Sequence, residues 1–187
     1  MGWDGEYLGR KLGYNELKAF IGNKWNDSNV DKTIEYKCEK IALRSNVAFM
    51  IVSKTNVSSG TQEKFIAVTL YSQTKNARGY GYEIITKELT EHSGPGDYNC
   101  PVSYIKELGG IEGTDNEYAQ EWRKGVIEYA EFKKKIENFK KNRTPLKLTW
   151  GEKEIEVVYN SYFKKWIVSG ENTYIPAKFI KPGRVTI

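Results

Sequence analysis

A turn cluster at residues 94–101, followed closely by helical patterns, constrains the fold of this chain most strongly. Gly94 and Gly96 can adopt left-handed backbone angles, whereas Pro95 and Pro101 fix φ and remove a backbone donor. The sequence before the cluster alternates mostly in the manner of strands, and the sequence after the helices does so again. The cluster is therefore predicted to mark the point where a sheet gives way to helix.

A long helix is predicted after this cluster. It runs from about Asp115 to Asn142, with Thr114 or Asp115 as the N-cap residue. Its apolar stripe is formed by Tyr118, Trp122, Tyr129, Phe132, Ile136 and Phe139, and is interrupted once by Gly125. Because such a stripe must face a core, we expect Trp122 to be largely buried. We also expect the turn cluster to pack against the N-terminal half of this helix.

Two shorter helical patterns are present. Apolar residues at helical spacing predict a helix that begins at Asn15 and extends through Trp25. A short helix is predicted to begin with Pro101 at its first helical position and to be stopped by Gly109 and Gly110.

Strand patterns fill most of the remaining sequence. Runs between Ile34 and Lys87 are joined by short turns, which favours an antiparallel meander. After Pro145, shorter runs separated by turns favour a small barrel or a curled sheet. The predicted fold class is α+β: an antiparallel sheet covered by two helices, with a small C-terminal β-barrel-like module. The predicted domains are an α+β domain at residues 1–143 and the β module at residues 145–187, which are able to pack as one domain.

The composition indicates a globular, basic chain. Of 187 residues, 39% are hydrophobic and 13% aromatic, which excludes a disordered protein. The net charge of +5 permits contact with nucleic acid or an acidic protein without selecting between them. No apolar run approaches the roughly 20 residues that span a bilayer, so no membrane contact and a cytoplasmic location are predicted. The sequence leaves the oligomeric state open.

Catalytic and metal-binding patterns are weak. His92, Asp97 and Cys100 lie close together and could form a Cys/His pair, but a cysteine at a tight turn is more typical of a buried structural residue. Glu117 and Glu121 lie one helical turn apart, where acidic residues complement the helix dipole without any catalytic role. The two cysteines form no CxxC pair, so no metal and no cofactor are predicted. These patterns favour a protein that is not an enzyme.

The C-terminal segment interleaves aromatic and basic residues, which small β modules use to stack bases and neutralise phosphates. The predicted binding residues, for nucleic acid or another partner, are Lys147, Trp150, Lys164, Lys165, Trp166, Lys178, Lys181 and Arg184. In the alternative interpretation, about half of the aromatic residues fill a small core while the lysines face water. The sequence leaves both interpretations open.

Several motifs together resemble an uncharacterised protein family of phages and mobile elements of Gram-positive bacteria. The residues that carry the resemblance are Trp3, Gly94, Pro95, Tyr98, Cys100, Pro101, Asp115, Tyr118, Trp122 and Arg123. The sequence departs from that family after Trp3, where Asp4 and Gly5 replace the Thr-Ser that is common in it. We expect a structural role for these signature residues.

The resemblance implies a genomic setting in which accessory proteins often bind and disable host machinery. The function predicted first is therefore that of a non-enzymatic phage or mobile-element accessory protein. Such a protein would bind and inhibit a host protein complex in the bacterial cytoplasm, such as a defence system, in the manner of anti-CRISPR proteins. The alternative is a nucleic-acid-binding accessory protein that uses the basic-aromatic C-terminal β module.

Overall fold

The computed structural model describes residues 7–12, 24–26, 33–44, 47–76, 79–85 and 98–186. These residues form two antiparallel sheets and two α-helices, which confirms the α+β class. The chain divides into two compact units, Met1–Ile127 and Glu128–Ile187. The division falls within the long helix, whereas the sequence placed a boundary at residues 143–145.

The first sheet has six strands: β1 (Tyr7–Leu12), β2 (Lys24–Asn26), β3 (Ile34–Arg44), β4 (Val47–Asn56), β5 (Gln62–Asn76) and β6 (Gly79–Ile85). Their order is β1-β6-β5-β4-β3-β2, and every neighbouring pair is antiparallel. The predicted meander is therefore confirmed.

The prediction of a helix that begins at Asn15 is wrong at its C-terminal end. Trp25 lies in β2 and pairs with Tyr36 of β3, so backbone pairing with a neighbouring strand overrides the helical spacing there. The beginning of that predicted helix lies outside the described residues.

The central strand β4 is buried on both faces. Ala48, Met50 and Val52 belong to one apolar cluster, whereas Phe49 and Ile51 belong to another on the opposite face, and all five are 0% exposed. This explains why β4 is a continuous apolar run rather than an alternating one.

The two helices are α1 (Val102–Glu107) and α2 (Glu117–Asn142). Pro101 is the N-cap of α1 rather than its first helical residue, so that detail of the prediction is wrong. Gly109 and Gly110 follow α1 with φ of 85° and 77°, which L side chains disfavour, and this confirms them as the stop signal.

The N-cap of α2 is also one residue away from the prediction. The Asn116 side-chain oxygen accepts hydrogen bonds from the backbone N–H groups of Tyr118 and Ala119, both at 3.0 Å. Thr114 instead accepts a bond from the Asn116 N–H at 3.2 Å. Asp115 is exposed, and neither it nor Thr114 is the cap.

Three signature residues lie in the second apolar cluster of the first unit: Tyr98, Cys100 and Trp122. Trp122 is 4% exposed, and its ring stacks on that of Phe49 with centroids 6.4 Å apart. Tyr98 and Cys100 belong to the same cluster, so the described end of the turn packs against α2, as predicted. Tyr118 is instead 49% exposed. The other signature residues of the turn, Gly94 and Pro95, lie outside the described residues, as does Trp3.

Tyr118 is exposed because of its angle on the helix. The buried line of α2 begins with Ala119, Trp122 and Val126, which follow three-then-four spacing. Tyr118 is one residue before Ala119, so it lies about 100° from Ala119 around the helix axis and at the side of the buried line. The predicted apolar stripe is wrong at this position.

Arg123 is fully buried and stabilises the end of α1. Its Nη1 donates to the backbone oxygens of Leu108 at 3.3 Å and Gly110 at 2.6 Å. Carbonyl groups at a helix end lack intrahelical partners, so the guanidinium supplies the donors that they need.

Gly125 makes room for the Tyr98 ring, and we expect Gly125→Ala to destabilise the protein. A Cβ there would lie 2.7 Å from Tyr98 Cε1. Alanine gains about 1 kcal/mol of helix propensity, but overpacking typically costs about 1–3 kcal/mol. Chemical denaturation followed by circular dichroism should show a net loss of about 1 kcal/mol. A more stable variant would mean that the ring does not pack there.

The second unit contains β7 (Leu146–Trp150), β8 (Lys153–Asn160), β9 (Lys165–Val168), β10 (Tyr174–Ile175), a 3-10 turn (Ala177–Phe179) and β11 (Val185–Thr186). The antiparallel sheet has the order β10-β9-β8-β7-β11, and the described strands do not close into a barrel. Its core consists of Ile136, Leu146, Leu148, Val157, Trp166 and Ile175.

Candidate functional site

The positive charge of the chain resides in the second unit. Residues 128–187 carry thirteen Lys and Arg against seven Glu, a net charge of +6. Residues 1–127 carry sixteen Lys and Arg against seventeen Asp and Glu, a net charge of −1. The second unit therefore carries the net charge that would attract an anionic partner.

The alternation of side chains along β9 decides which of them can contact a ligand. Trp166 is 2% exposed and packs edge-on against Tyr159 with ring centroids 5.4 Å apart. It was predicted to be a binding residue, but it lies in the core and cannot offer its face to a ligand. The neighbouring Lys165 points to the other side of the sheet. There its Nζ lies 4.7 Å from the ring centroid of Tyr174.

The hairpin tip, residues 160–165, joins β8 to β9 and displays two aromatic rings. The Asn160 side-chain oxygen accepts hydrogen bonds from the N–H groups of Tyr162 and Phe163, both at 3.0 Å, which fixes the loop. Tyr162 is 86% and Phe163 51% exposed. Two large rings held in water by an ordered turn are not accounted for by core packing.

Tyr174 extends the two rings of the hairpin tip into a continuous group. The Tyr162 and Phe163 ring centroids are 4.9 Å apart, and those of Phe163 and Tyr174 are 6.1 Å apart, both edge-to-face. We call Tyr162, Phe163 and Tyr174 the aromatic triad. These three residues are among the aromatic residues that interleave with the lysines of the C-terminal segment, but they were not in the predicted set of binding residues. The turn signal at Asn160 and Ser161 was the feature of the sequence that could have indicated an exposed loop.

Within the part of the chain that the structure describes, two non-glycine residues have left-handed backbone angles. Both are basic, and both lie in the hairpin tip or in contact with it. Lys164 in the hairpin tip has φ 52°, and Arg143 after α2 has φ 53°. Glycine is the preferred residue in this conformation, and other residues there concentrate at functional sites. A basic residue thus occupies each position at a cost to stability.

Arg143 connects the helix end to the hairpin tip. Its backbone closes the last turn of α2, with Thr144 N–H donating to the Phe139 oxygen at 3.0 Å. Its Nη2 donates to Ser161 Oγ at 3.1 Å. A cavity of about 460 Å³ lies beside this contact and is lined in part by Val158, Tyr162 and Ile167.

Three of the other predicted binding residues, Trp150, Lys178 and Arg184, form a second group around Phe179 at the opposite end of β8. Trp150 is 40% exposed and packs edge-on against Phe179 with centroids 4.8 Å apart. Lys178 Nζ and Arg184 Cζ lie 5.2 and 5.4 Å from the Phe179 ring centroid. Lys181 is exposed.

Lys147 forms an exposed ion pair with a neighbouring acid. Its Nζ lies 2.9 Å from Glu154 Oε1, and this hydrogen bond raises the pKa of Lys147. The structure therefore places Lys164 and Lys165 with the aromatic triad, and gathers Trp150, Lys178 and Arg184 elsewhere. Lys147 belongs to neither group.

The catalytic candidates are placed only in part. Cys100 is 4% exposed, with Sγ 3.8 Å from the Pro101 oxygen, and Glu117 and Glu121 are exposed on α2. His92 and Asp97 lie outside the described residues. Burial, with the nearby Glu39 charge, raises the pKa of the Cys38 thiol to about 12, so this thiol stays protonated at neutral pH.

No group of three or more His, Cys, Asp or Glu residues suited to a metal ion is found among the described residues. Neither α1 nor α2, the helices within that part of the chain, is long and apolar enough to cross a bilayer.

Comparisons with known proteins identify no relative of this chain. No protein family, no curated protein and no solved structure matches it. The resemblance to a phage and mobile-element family therefore stays a prediction, and the functional argument depends on the site itself.

Proposed function

We propose that this protein binds single-stranded nucleic acid through the aromatic triad and the lysines beside it. The observation that supports this most directly is the exposure of three connected rings next to Lys164 and Lys165, in the unit that holds the net positive charge. Bases stack on exposed aromatic rings, and each such contact is worth about 1–3 kcal/mol. The cations neutralise the phosphates between the bases.

A single strand fits this surface better than a duplex. Base faces are stacked on one another inside a duplex and are free in a single strand. The triad offers ring faces and edges on a protruding loop.

The test is a fluorescence-anisotropy titration of the whole protein with a labelled oligothymidine of about 15 nucleotides, a length within the range bound by small β modules. We expect binding at about 50 mM salt and marked weakening at about 150 mM, because bound phosphates release counterions. A duplex of equal length is expected to bind more weakly. Absence of binding at low salt would overturn the proposal.

We expect Lys164→Gly to change stability and affinity in opposite directions. Removing the left-handed lysine should raise the free energy of unfolding by about 0.5–1 kcal/mol. The loss of one phosphate contact should lower the oligothymidine affinity about three- to tenfold and make it less salt-dependent. Denaturation curves and anisotropy on the same samples measure both effects.

Lys153→Gly is the matched control for this variant. Lys153 is an exposed lysine at the start of β8 in the same unit, and its backbone is not left-handed. Glycine there should lower stability slightly and leave affinity within about twofold of the wild type. If Lys164→Gly behaves like this control, Lys164 has no special role in binding.

The family resemblance supports a second proposal, a host protein complex as the partner. Exposed aromatic residues and Arg are also enriched in protein interfaces, so the aromatic triad would suit such a partner as well. A pull-down from nuclease-treated host lysate, using folded protein, should then return a protein that a Phe163→Ala variant fails to retain. If the wild type and this variant return the same proteins, the triad is not the docking surface.

A further inference from the structure

A cavity of about 410 Å³ lies on the Tyr174 side of the hairpin tip. Three lysines from different parts of the unit line it: Lys140 from α2, Lys164 from the tip and Lys165 from β9. Tyr159 and Tyr174 form further parts of the wall, and no Asp or Glu is among the lining residues. The lining is therefore basic and aromatic, and the volume suits a small ligand.

The ammonium groups are partly positioned by neighbouring rings. Lys165 Nζ lies 4.7 Å from the Tyr174 centroid, and Lys140 Nζ lies 5.4 Å from the Tyr159 centroid. Lys140 also lies 2.6 Å from Glu137 Oε1. Glu137 is 69% exposed, and an exposed pair of this kind is weak, so it leaves Lys140 free to share its charge with a bound anion.

Tyr174 belongs to both the cavity and the aromatic triad. Its ring lines the cavity and lies 6.1 Å from the ring of Phe163. A base that stacks on the face of one of these two rings would thus place its own phosphate beside Lys164 and Lys165. A phosphate accepts several charge-assisted hydrogen bonds at once, as a three-lysine wall can supply.

From this arrangement we infer that the cavity is a phosphate subsite and that the site recognises a nucleoside 5′-phosphate unit. The base stacks on the face of one of the two rings, Phe163 or Tyr174, with the other ring beside it, and the phosphate binds to Lys140, Lys164 and Lys165. This inference rests on the proposed function but is narrower, because it assigns the phosphate of a stacked nucleotide to one cavity. The walls present rings and ammonium groups rather than base-edge readers, so the four bases should bind alike.

The test compares three small probes on the ¹⁵N-labelled whole protein by NMR: thymidine 5′-monophosphate, thymidine and inorganic phosphate. We expect the monophosphate to shift the amide signals of Lys164, Lys165 and Tyr174. Thymidine alone and inorganic phosphate alone should shift them far less. Lys165→Ala should weaken monophosphate binding about tenfold. Lys153→Ala, at an exposed lysine of the same unit, should not. The spectra also report whether each variant is folded.

Each other outcome counts against the inference in a distinct way. If inorganic phosphate binds as well as the monophosphate, the cavity is an anion site without base recognition. If labelled oligothymidine binds but the monophosphate causes no shift at these residues, the inference is wrong while the proposed function stands. If oligothymidine fails to bind and the monophosphate still binds in the cavity, the proposed function is wrong and the site is one for free nucleotides.

Discussion

Trp122→Ala is expected to lower the free energy of unfolding by about 3–5 kcal/mol, the usual result of emptying a large buried aromatic site. Trp122 lies in the cluster where α2 meets Phe49 of the first sheet and Ile105 of α1. Total stabilities of about 5–15 kcal/mol are typical, so this loss can leave the first unit largely unfolded at room temperature. Urea denaturation followed by far-UV circular dichroism measures it.

Tyr118→Ala is the matched control for that variant. Tyr118 lies one turn earlier on the same helix, but it is 49% exposed, so its replacement should change stability by no more than about 0.5 kcal/mol. If Trp122→Ala costs as little as Tyr118→Ala, the packing described for the signature stretch is wrong.

The double variant Phe163→Ala/Tyr174→Ala is expected to lose most of the affinity for single-stranded nucleic acid. Each ring offers one stacking contact worth about 1–3 kcal/mol, so the affinity for oligothymidine should fall about thirtyfold or more. Both side chains are at least 45% exposed, so the fold should be retained, which circular dichroism can check. Anisotropy titrations at one fixed salt concentration give the change in Kd.

Tyr118→Ala serves as the control here as well. It removes one exposed tyrosine of similar accessibility from the first unit, where the net charge is −1. Its affinity should stay within about twofold of the wild type. A double variant that binds as tightly as this control would show that stacking on these rings does not hold the ligand.

Long periodic patterns predicted their elements well. The helix that ends at Asn142 and the strands between Ile34 and Ile85 are both found, because many residues repeat the same period. The position of a helix end depends on fewer interactions, chiefly those of the cap residue. Thr114, Asp115 and Asn116 can all serve as caps, and only the folded geometry shows that the Asn116 side-chain oxygen accepts the capping hydrogen bonds.

Short segments depend on their partners more than on their own pattern. The three residues of β2 contain Trp25, whose spacing from Ile21 fits a helix, but pairing with β3 decides its structure. In β9, Trp166 and Ile167 are both apolar, so the sequence alone does not show which of them faces the core.

Single residues of the site and single signature residues were the hardest to predict. A buried arginine is uncommon, and Arg123 is explained only by two carbonyl oxygens that the turn after α1 presents to it. The aromatic triad joins residues 162–163 of a loop to Tyr174 of another strand. That contact requires the register of β9 with β10, which a linear pattern does not contain.

Photo-crosslinking tests the central claim most directly. An oligothymidine that carries a few 4-thiothymidines is bound to the whole protein and irradiated, and the modified peptides are identified by mass spectrometry. We predict crosslinks at the hairpin tip and at Tyr174, and we expect these crosslinks to be lost in the Phe163→Ala/Tyr174→Ala variant. Crosslinks confined to residues 1–127, unchanged in that variant, would contradict it.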